Sequence, residues 1–243
     1  MNTWIKVARY HLVRPTAYSM PWFNLAFAFV VALIIFWQIP VSYHEVLTAN
    51  GTVSVVNTGS RWTGAVASMF ATFFAVSVQT IGRSLPLGLM FGVSRRSYYM
   101  GTALTGLAMA AVNAAGLTVL QAIERGTNGW GVHMSFFRVP YILNGPWYAT
   151  LLTSFVAMTM LFLYGMWYGI VYRRWGLFGT ISFLATQVLV VLAGVLSATW
   201  THSWPSVGGF FTSLTALGLT GILAALAVVL LAGGQVTVRR AVV

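Results

Sequence analysis

Few side chains in this 243-residue sequence are of the types that carry out enzymatic chemistry. The chain has 2 acidic residues, Glu45 and Glu124, no cysteine, and a single lysine, Lys6, among its 13 basic residues. A phosphate-binding loop needs a lysine within a Gly-Lys-Ser/Thr sequence, and no such sequence occurs here. We therefore predict no catalytic residue, no metal site and no ATP hydrolysis by this chain itself.

The composition predicts a membrane protein. Hydrophobic residues make up 58% of the chain and charged residues only 6%, whereas about 25% of an average soluble domain is charged. A soluble domain of this size needs a charged surface over its core. The formal net charge is +11, and in such a chain we expect the membrane lipid, with its anionic headgroups, to be the partner rather than nucleic acid.

Charge-free intervals divide the sequence into six segments that are each long enough to cross a membrane. A helix needs about 20 apolar residues to cross about 30 Å of hydrocarbon. The last interval, between Arg174 and Arg239, is too long for one helix, and the polar sequence TWTHSWPSVGG divides it. The chain is therefore predicted to be an all-α membrane protein, with residues 1–243 forming a single transmembrane domain. The predicted spans lie near residues 22–41, 62–82, 99–123, 147–172, 177–198 and 210–233.

The basic residues predict the orientation of these spans. With six spans both termini lie on one side, and both acidic residues fall on the other. Because lysine and arginine concentrate in cytoplasmic loops, we expect the N- and C-termini to be cytoplasmic. Ten of the 13 basic residues fall on that side: Lys6, Arg9, Arg14, Arg83, Arg95, Arg96, Arg173, Arg174, Arg239 and Arg240.

The same placement disfavours several enzyme and carrier classes. Proton-coupled carriers usually hold a carboxylate or a histidine within the membrane. The four histidines, His11, His44, His133 and His202, all fall in connections or near a terminus. An intramembrane serine protease is the alternative that remains, although no Gly-x-Ser-x-Gly sequence is present.

Two segments on the predicted cytoplasmic side have patterns that a simple connection between spans does not need. Residues 1–15 predict an interfacial amphipathic helix, with a disordered basic leader as the alternative. The connection after the second span, RSLPLGLMFGVSRRSYYMG, is apolar in its middle but too short to cross a membrane. Ser84 suits an N-cap, Pro86 a first turn and Gly92 a helix end, which predicts a short helix over residues 85–91. Such a helix favours docking to a soluble subunit, and a helix lying in the headgroups is the alternative.

These features resemble the permease subunit of bacterial ABC-2-type exporters, and actinobacterial members most closely. The resemblance is carried by the sequence PLGLMFGVSRRSYYMG, the amphipathic N-terminus, the six spans and the terminal Arg-Arg-Ala. It implies a multidrug-type ABC transporter of the bacterial plasma membrane that exports a drug, peptide or lipid. It also implies a separate ATPase subunit that binds ATP and Mg, and a second permease subunit in a homo- or heterodimer. The implied ATPase-coupling residues are Leu85, Pro86, Leu87, Leu89, Met90, Phe91, Gly92, Ser94, Arg95 and Arg96; plain membrane anchoring is the alternative for the two arginines.

Other features leave alternatives open. Asn113 and Gln187 are candidates for the translocation path, and interhelical hydrogen bonding is the other interpretation of both. The spacing of Gly165 and Gly169 predicts close helix packing, either within the chain or in a dimer. Residues 124–146 predict an ordered outer cap, and the short segment 199–209 predicts that the re-entrant outer helices of larger relatives are reduced. The rival function is a non-transporting membrane scaffold or immunity protein.

Overall fold

The computed structural model of the chain describes residues 15–38, 43–47, 53–57, 64, 66–90, 92–139 and 145–240. The interfacial helix predicted for residues 1–15 therefore lies outside the described residues, apart from Pro15. Most of the described chain is helical, as predicted, and a turn, Gly129–His133, in which Trp130 and Gly131 have positive φ, follows the third helix. The helices are α1 (Pro15–Gln38), α2 (Ala67–Met90), α3 (Arg95–Gly126), α4 (Trp147–Trp200), α5 (Trp204–Ser213) and α6 (Ala216–Arg240).

A two-stranded antiparallel hairpin follows α1. It consists of β1 (Tyr43–Leu47) and β2 (Val53–Asn57). In its register Tyr43 pairs with Asn57 and Leu47 pairs with Val53. The β-branched residues of β2 suit an extended strand, and this hairpin is the departure from an all-α architecture within the described residues.

Four helices of the described chain, rather than the predicted six, are long and apolar enough to cross a membrane. They are Ser19–Gln38, Arg95–Gly126, Trp147–Trp200 and Ala216–Val238. The second predicted span falls on α2, whose apolar part, Ala67–Gly82, is shorter. The fourth and fifth predicted spans both fall within α4, which contains 54 residues. The difference in number therefore arises in α2 and α4.

The long helix α4 is a hairpin of two arms. Gly176 has φ 66° and ψ −158°, a backbone conformation that is open essentially to glycine alone. The Tyr164 hydroxyl donates a hydrogen bond of 2.6 Å to Oε1 of Gln187. In a straight helix these two residues would lie about 35 Å apart along the axis. The first arm, residues 147–175, and the second arm, residues 177–200, therefore run antiparallel.

The apolar segment at the end of α2 differs from its prediction. Residues 85–90 continue α2 and do not form a separate helix, so Ser84 lies inside a helix and not at an N-cap. Leu85 is only 3% exposed and belongs to the core. Packing of an apolar face usually decides helix stability more strongly than local propensity does, and here it extends α2 past the proline at position 86.

A short helix, α5, occupies the segment predicted as a loop and as the start of the sixth span. The sixth span was expected near residue 210, but α6 begins at Ala216. Pro205 lies in the first turn of α5, where proline is well tolerated because the first N–H groups of a helix have no intrahelical partner. None of the α5 residues is buried, so a helix without a buried face connects the second arm of α4 to α6.

The core lies where the first arm of α4 packs against α2, α3 and α6. On α2 the residues Met69, Phe73, Ser77 and Ile81 recur every fourth position and are at most 1% exposed. This spacing forms one face of a helix. By contrast, no residue of the second arm is buried. Its apolar surface faces outward, as in a helix that contacts lipid.

Candidate functional site

The predicted ATPase-coupling residues lie at the connection between α2 and α3. Leu85 is buried and Leu89 is half-buried, whereas Met90 is 82% exposed. Gly92 follows the end of α2 with φ +74°, and its N–H donates a hydrogen bond of 3.0 Å to the Leu89 carbonyl. Glycine is favoured there because other residues are strained at positive φ. The connection therefore presents an exposed apolar side chain next to a tight turn.

The next residues of the connection begin α3. Ser94 is the N-cap, and its Oγ accepts a hydrogen bond of 3.2 Å from the N–H of Ser97. Arg95 is half-buried and Arg96 is exposed in the first turn of α3. Cations in a first turn oppose the helix dipole, so the Ser94 cap offsets part of the cost that these arginines impose.

Three predicted coupling residues are not described in full. Phe91 lies outside the described residues, and so do the side chains of Pro86 and Leu87. Their predicted contacts with an ATPase stay predictions. The other seven lie at the end of α2, in the turn that follows it and at the start of α3: Leu85, Leu89, Met90, Gly92, Ser94, Arg95 and Arg96.

Asn113, the first candidate for a translocation path, lies in the core on α3 and is 3% exposed. Its Nδ2 donates a hydrogen bond of 2.8 Å to the Met109 carbonyl in the same helix. Its Oδ1 has no hydrogen-bond partner among the described residues, and the same holds for the buried hydroxyls of Thr150 and Ser154 on the first arm. An unpaired buried polar group costs about 1–3 kcal/mol. The hydrogen-bonding capacity of these three buried oxygens is therefore unused among the described residues.

Gln187, the second candidate, joins the two arms of α4. Its Oε1 accepts hydrogen bonds of 2.6 Å from the hydroxyls of both Tyr164 and Tyr168. This is the interhelical hydrogen bonding that the sequence left open as an alternative. Asn113 bonds within α3 and Gln187 bonds to the first arm, so the two candidates have different hydrogen-bond partners.

The glycine pair of the first arm packs inside the chain. A Cβ on Gly165 would overlap the Ser77 hydroxyl, and a Cβ on Gly169 would lie 2.8 Å from Cβ of Ile81. Both neighbours belong to α2. Small residues of this spacing let helix backbones approach closely. The alternative of internal packing therefore applies to this pair.

Glu124, which the sequence did not single out as a binding residue, holds the segment after α3. Its carboxylate is 0% exposed. Oε2 accepts hydrogen bonds from the backbone N–H groups of Phe136 at 3.0 Å and Phe137 at 2.8 Å, and from the Trp130 indole at 3.3 Å. Oε1 accepts one of 3.1 Å from Nε of Arg138. A buried charge is tolerated when it is paired and hydrogen-bonded in this way.

The segment that Glu124 holds also packs against α1. The ring of Phe29 lies 4.9 Å from the ring of Trp130 and 5.2 Å from that of Phe136, measured between centroids. Gly129 has φ +79°, and a Cβ there would lie 2.6 Å from the backbone nitrogen of Met134. Over residues 124–139 the structure thus has the ordered cap that the sequence predicts. Phe136 and Phe137 are buried in it.

The described part of the chain contains no group of three or more histidine, aspartate or glutamate side chains that could hold a metal ion. The comparisons with known proteins give no relative. No family model matches the chain, and no curated protein or solved structure is significantly similar to it. A function must therefore be inferred from this chain's own residues and contacts.

Proposed function

We propose that this chain is the transmembrane permease subunit of an ABC-2-type exporter in a bacterial plasma membrane. A separate ATPase subunit binds ATP and Mg, and a second permease, identical or different, completes the complex. The observation that carries the proposal is the α2–α3 connection, where Met90 is 82% exposed beside the Gly92 turn. An exposed apolar helix end next to basic residues suits docking into a groove of a soluble protein.

The proposal includes six membrane crossings with both termini in the cytoplasm. The apolar part of α2, Ala67–Gly82, is about 24 Å long, and a bilayer thins locally around a segment that is somewhat shorter than its hydrocarbon core. The arms of α4 are at least as long, so each can cross the hydrocarbon separately. Arg173 and Arg174, near the turn at Gly176, then lie on the same side as Arg95 and Arg96, which agrees with the preference of arginine for cytoplasmic loops.

In the proposed cycle, ATP binding brings the two ATPase subunits together and moves the α2–α3 connection. α2 is tightly packed on the first arm of α4, where Gly165 and Gly169 contact Ser77 and Ile81. Because close-packed elements transmit displacement as a unit, movement of the helix end is passed to the bundle. The bundle then changes between inward- and outward-facing states.

The interior favours an amphipathic or hydrophobic substrate. Glu124 is the only charged residue that is buried in the described chain, and its oxygens are already hydrogen-bonded to the cap. A transporter of ions usually places unpaired ionisable groups within the membrane. The unpaired oxygens of Asn113, Thr150 and Ser154 can instead hydrogen-bond a polar group on an otherwise apolar molecule.

Affinity purification of the tagged full chain from its native host in mild detergent tests the proposal. We expect a stoichiometric partner that carries a phosphate-binding loop and hydrolyses ATP. Met90→Asp should abolish its retention, because a charge then replaces the exposed apolar contact. Trp175→Asp is the matched control, since Trp175 is 54% exposed at the turn of α4 on the same proposed face.

Three outcomes would contradict the proposal. The chain could purify alone from its native membrane, which would favour the scaffold or immunity function. The partner could lack ATPase activity. Met90→Asp and Trp175→Asp could reduce retention equally, which would remove the α2–α3 connection as the docking site.

A further inference from the structure

A groove of about 360 Å³ runs along the outer surface of the bundle between α3 and α6. Arg96 and Ser97 lie at one end of it. The rest of its lining is apolar and comes from Met100, Ala103, Leu104 and Leu107 of α3 together with Leu231 of α6. The groove therefore has one cationic end and a long hydrophobic wall.

Direct contacts between α3 and α6 fix the shape of this groove. The hydroxyl of Tyr99 lies 3.3 Å from the Leu231 carbonyl and donates a hydrogen bond to it. On the next turn, the Gln235 side chain contacts the sulfur of Met100. Gly234 leaves room for the Tyr99 ring, because a Cβ there would overlap the hydroxyl. These contacts between α3 and α6 hold the residues that line the groove in place.

The length of the groove matches one leaflet of a bilayer. Arg96 and Leu107 are three turns apart on α3, which corresponds to about 16 Å. Half of the hydrocarbon thickness of a membrane is about 15 Å. Leu104 and Leu107 are 39% and 38% exposed, so an acyl chain lying in the groove would contact both of them.

The charge at the end of the groove selects the headgroup. An arginine guanidinium binds a phosphate through parallel, charge-assisted hydrogen bonds. The N-terminus of α3 contributes a positive partial charge at the same place. A zwitterionic headgroup has a phosphate as well, but its ammonium group cancels the net attraction to a cationic site.

We propose that this groove binds one anionic phospholipid, with its phosphate on Arg96 and an acyl chain along Ala103, Leu104 and Leu107. The site requires only that the chain lies in a membrane and is independent of the exporter function. A phospholipid held there would also fix the depth at which α3 enters the membrane.

Native mass spectrometry of the full chain in detergent tests the site, with phosphatidylglycerol and phosphatidylcholine of identical acyl chains as the added lipids. We expect one phosphatidylglycerol molecule to bind more tightly than phosphatidylcholine. Arg96→Gln should weaken its binding about tenfold, the effect of losing one charge-assisted contact. Arg174→Gln is the matched control, because this arginine stacks on Trp175 at 4.6 Å, at the turn of α4. It should leave the tight site unchanged.

A second variant tests the apolar wall. Leu104→Trp fills the groove from an exposed position and should displace both lipids, whereas free glycerol phosphate should displace neither. The inference is overturned if phosphatidylcholine binds as tightly as phosphatidylglycerol, or if Arg96→Gln and Arg174→Gln behave alike. It is also overturned if Leu104→Trp leaves binding unchanged, or if the chain is a dimer that Leu104→Trp separates, because a second copy then occupies the groove.

Discussion

Replacing Glu124 with leucine should release the cap that follows α3. In the structure this carboxylate accepts hydrogen bonds from the backbone N–H groups of Phe136 at 3.0 Å and Phe137 at 2.8 Å, both in buried residues. A buried donor left without a partner costs about 1–3 kcal/mol, so the two together cost about 2–6 kcal/mol. Arg138, which is 32% exposed, can turn to solvent and adds little to this cost.

Two measurements on the full chain in detergent test this estimate. Unfolding in mixed micelles gives the change in the free energy of unfolding for Glu124→Leu. Hydrogen exchange reports whether the amides of Phe136 and Phe137 lose protection, as local release of the cap requires. Arg125→Gln is the matched control: this neighbouring side chain is exposed and donates a hydrogen bond to the Gly145 carbonyl. Its replacement should cost no more than about 1 kcal/mol, because water can reach the site that it leaves.

One result would refute the reasoning. If Glu124→Leu lowers the free energy of unfolding no more than Arg125→Gln does, the backbone hydrogen bonds to the carboxylate do not hold the cap. Unchanged protection of the Phe136 and Phe137 amides in Glu124→Leu would lead to the same conclusion. The aromatic contacts with α1 would then be the main cause of its order.

Three further substitutions test the packing of the bundle. Gly165→Ala places a methyl group against Ser77 and should lower the free energy of unfolding by about 1–3 kcal/mol, whereas Gly194→Ala, which has no atom within 4 Å, should not lower it. Gly176→Ala forces a Cβ into a backbone conformation with φ 66°. It should lower the free energy of unfolding by about 1–3 kcal/mol and broaden the distribution of distances between spin labels on the two arms of α4. Asn113→Leu removes an unpaired buried oxygen and should leave the free energy of unfolding unchanged or higher. It should nevertheless reduce transport into vesicles, and unchanged transport would show that Asn113 does not line the translocation path.

The turn within α4 shows how far the sequence predicts the fold. Arg173 and Arg174 mark the boundary between two apolar segments, and they place the reversal within a few residues of Gly176. The sequence does not distinguish Gly176 from the other glycines, because its positive φ depends on how the two arms pack. For α5 a local signal exists, because Pro205 suits the first turn of a helix, although the polar sequence TWTHSWPSVGG around it favours a division between two spans.

The contacts of Glu124 were beyond sequence reasoning for a different reason. Its partners are 12 and 13 residues further along the chain in Phe136 and Phe137, and neither helix nor strand periodicity sets that separation. The same holds for the end of α2, where burial of Leu85 extends a helix that Pro86 was expected to begin. In both cases tertiary contacts override the local pattern.

Among the described helices and arms that are long enough to cross a membrane, the second arm of α4 is the one that the bundle holds least firmly. None of its residues is buried, and Gln187 links it to Tyr164 and Tyr168 on the first arm. Hydrogen bonds between helices in a membrane contribute about 0.6 kcal/mol on average, and apolar surface that faces lipid does not favour one position over another. The first arm differs, because Gly165 and Gly169 pack closely against α2. In the proposed exporter, therefore, the second arm is the membrane-crossing segment whose displacement from the bundle costs least, and its exposed surface is available to a second permease subunit.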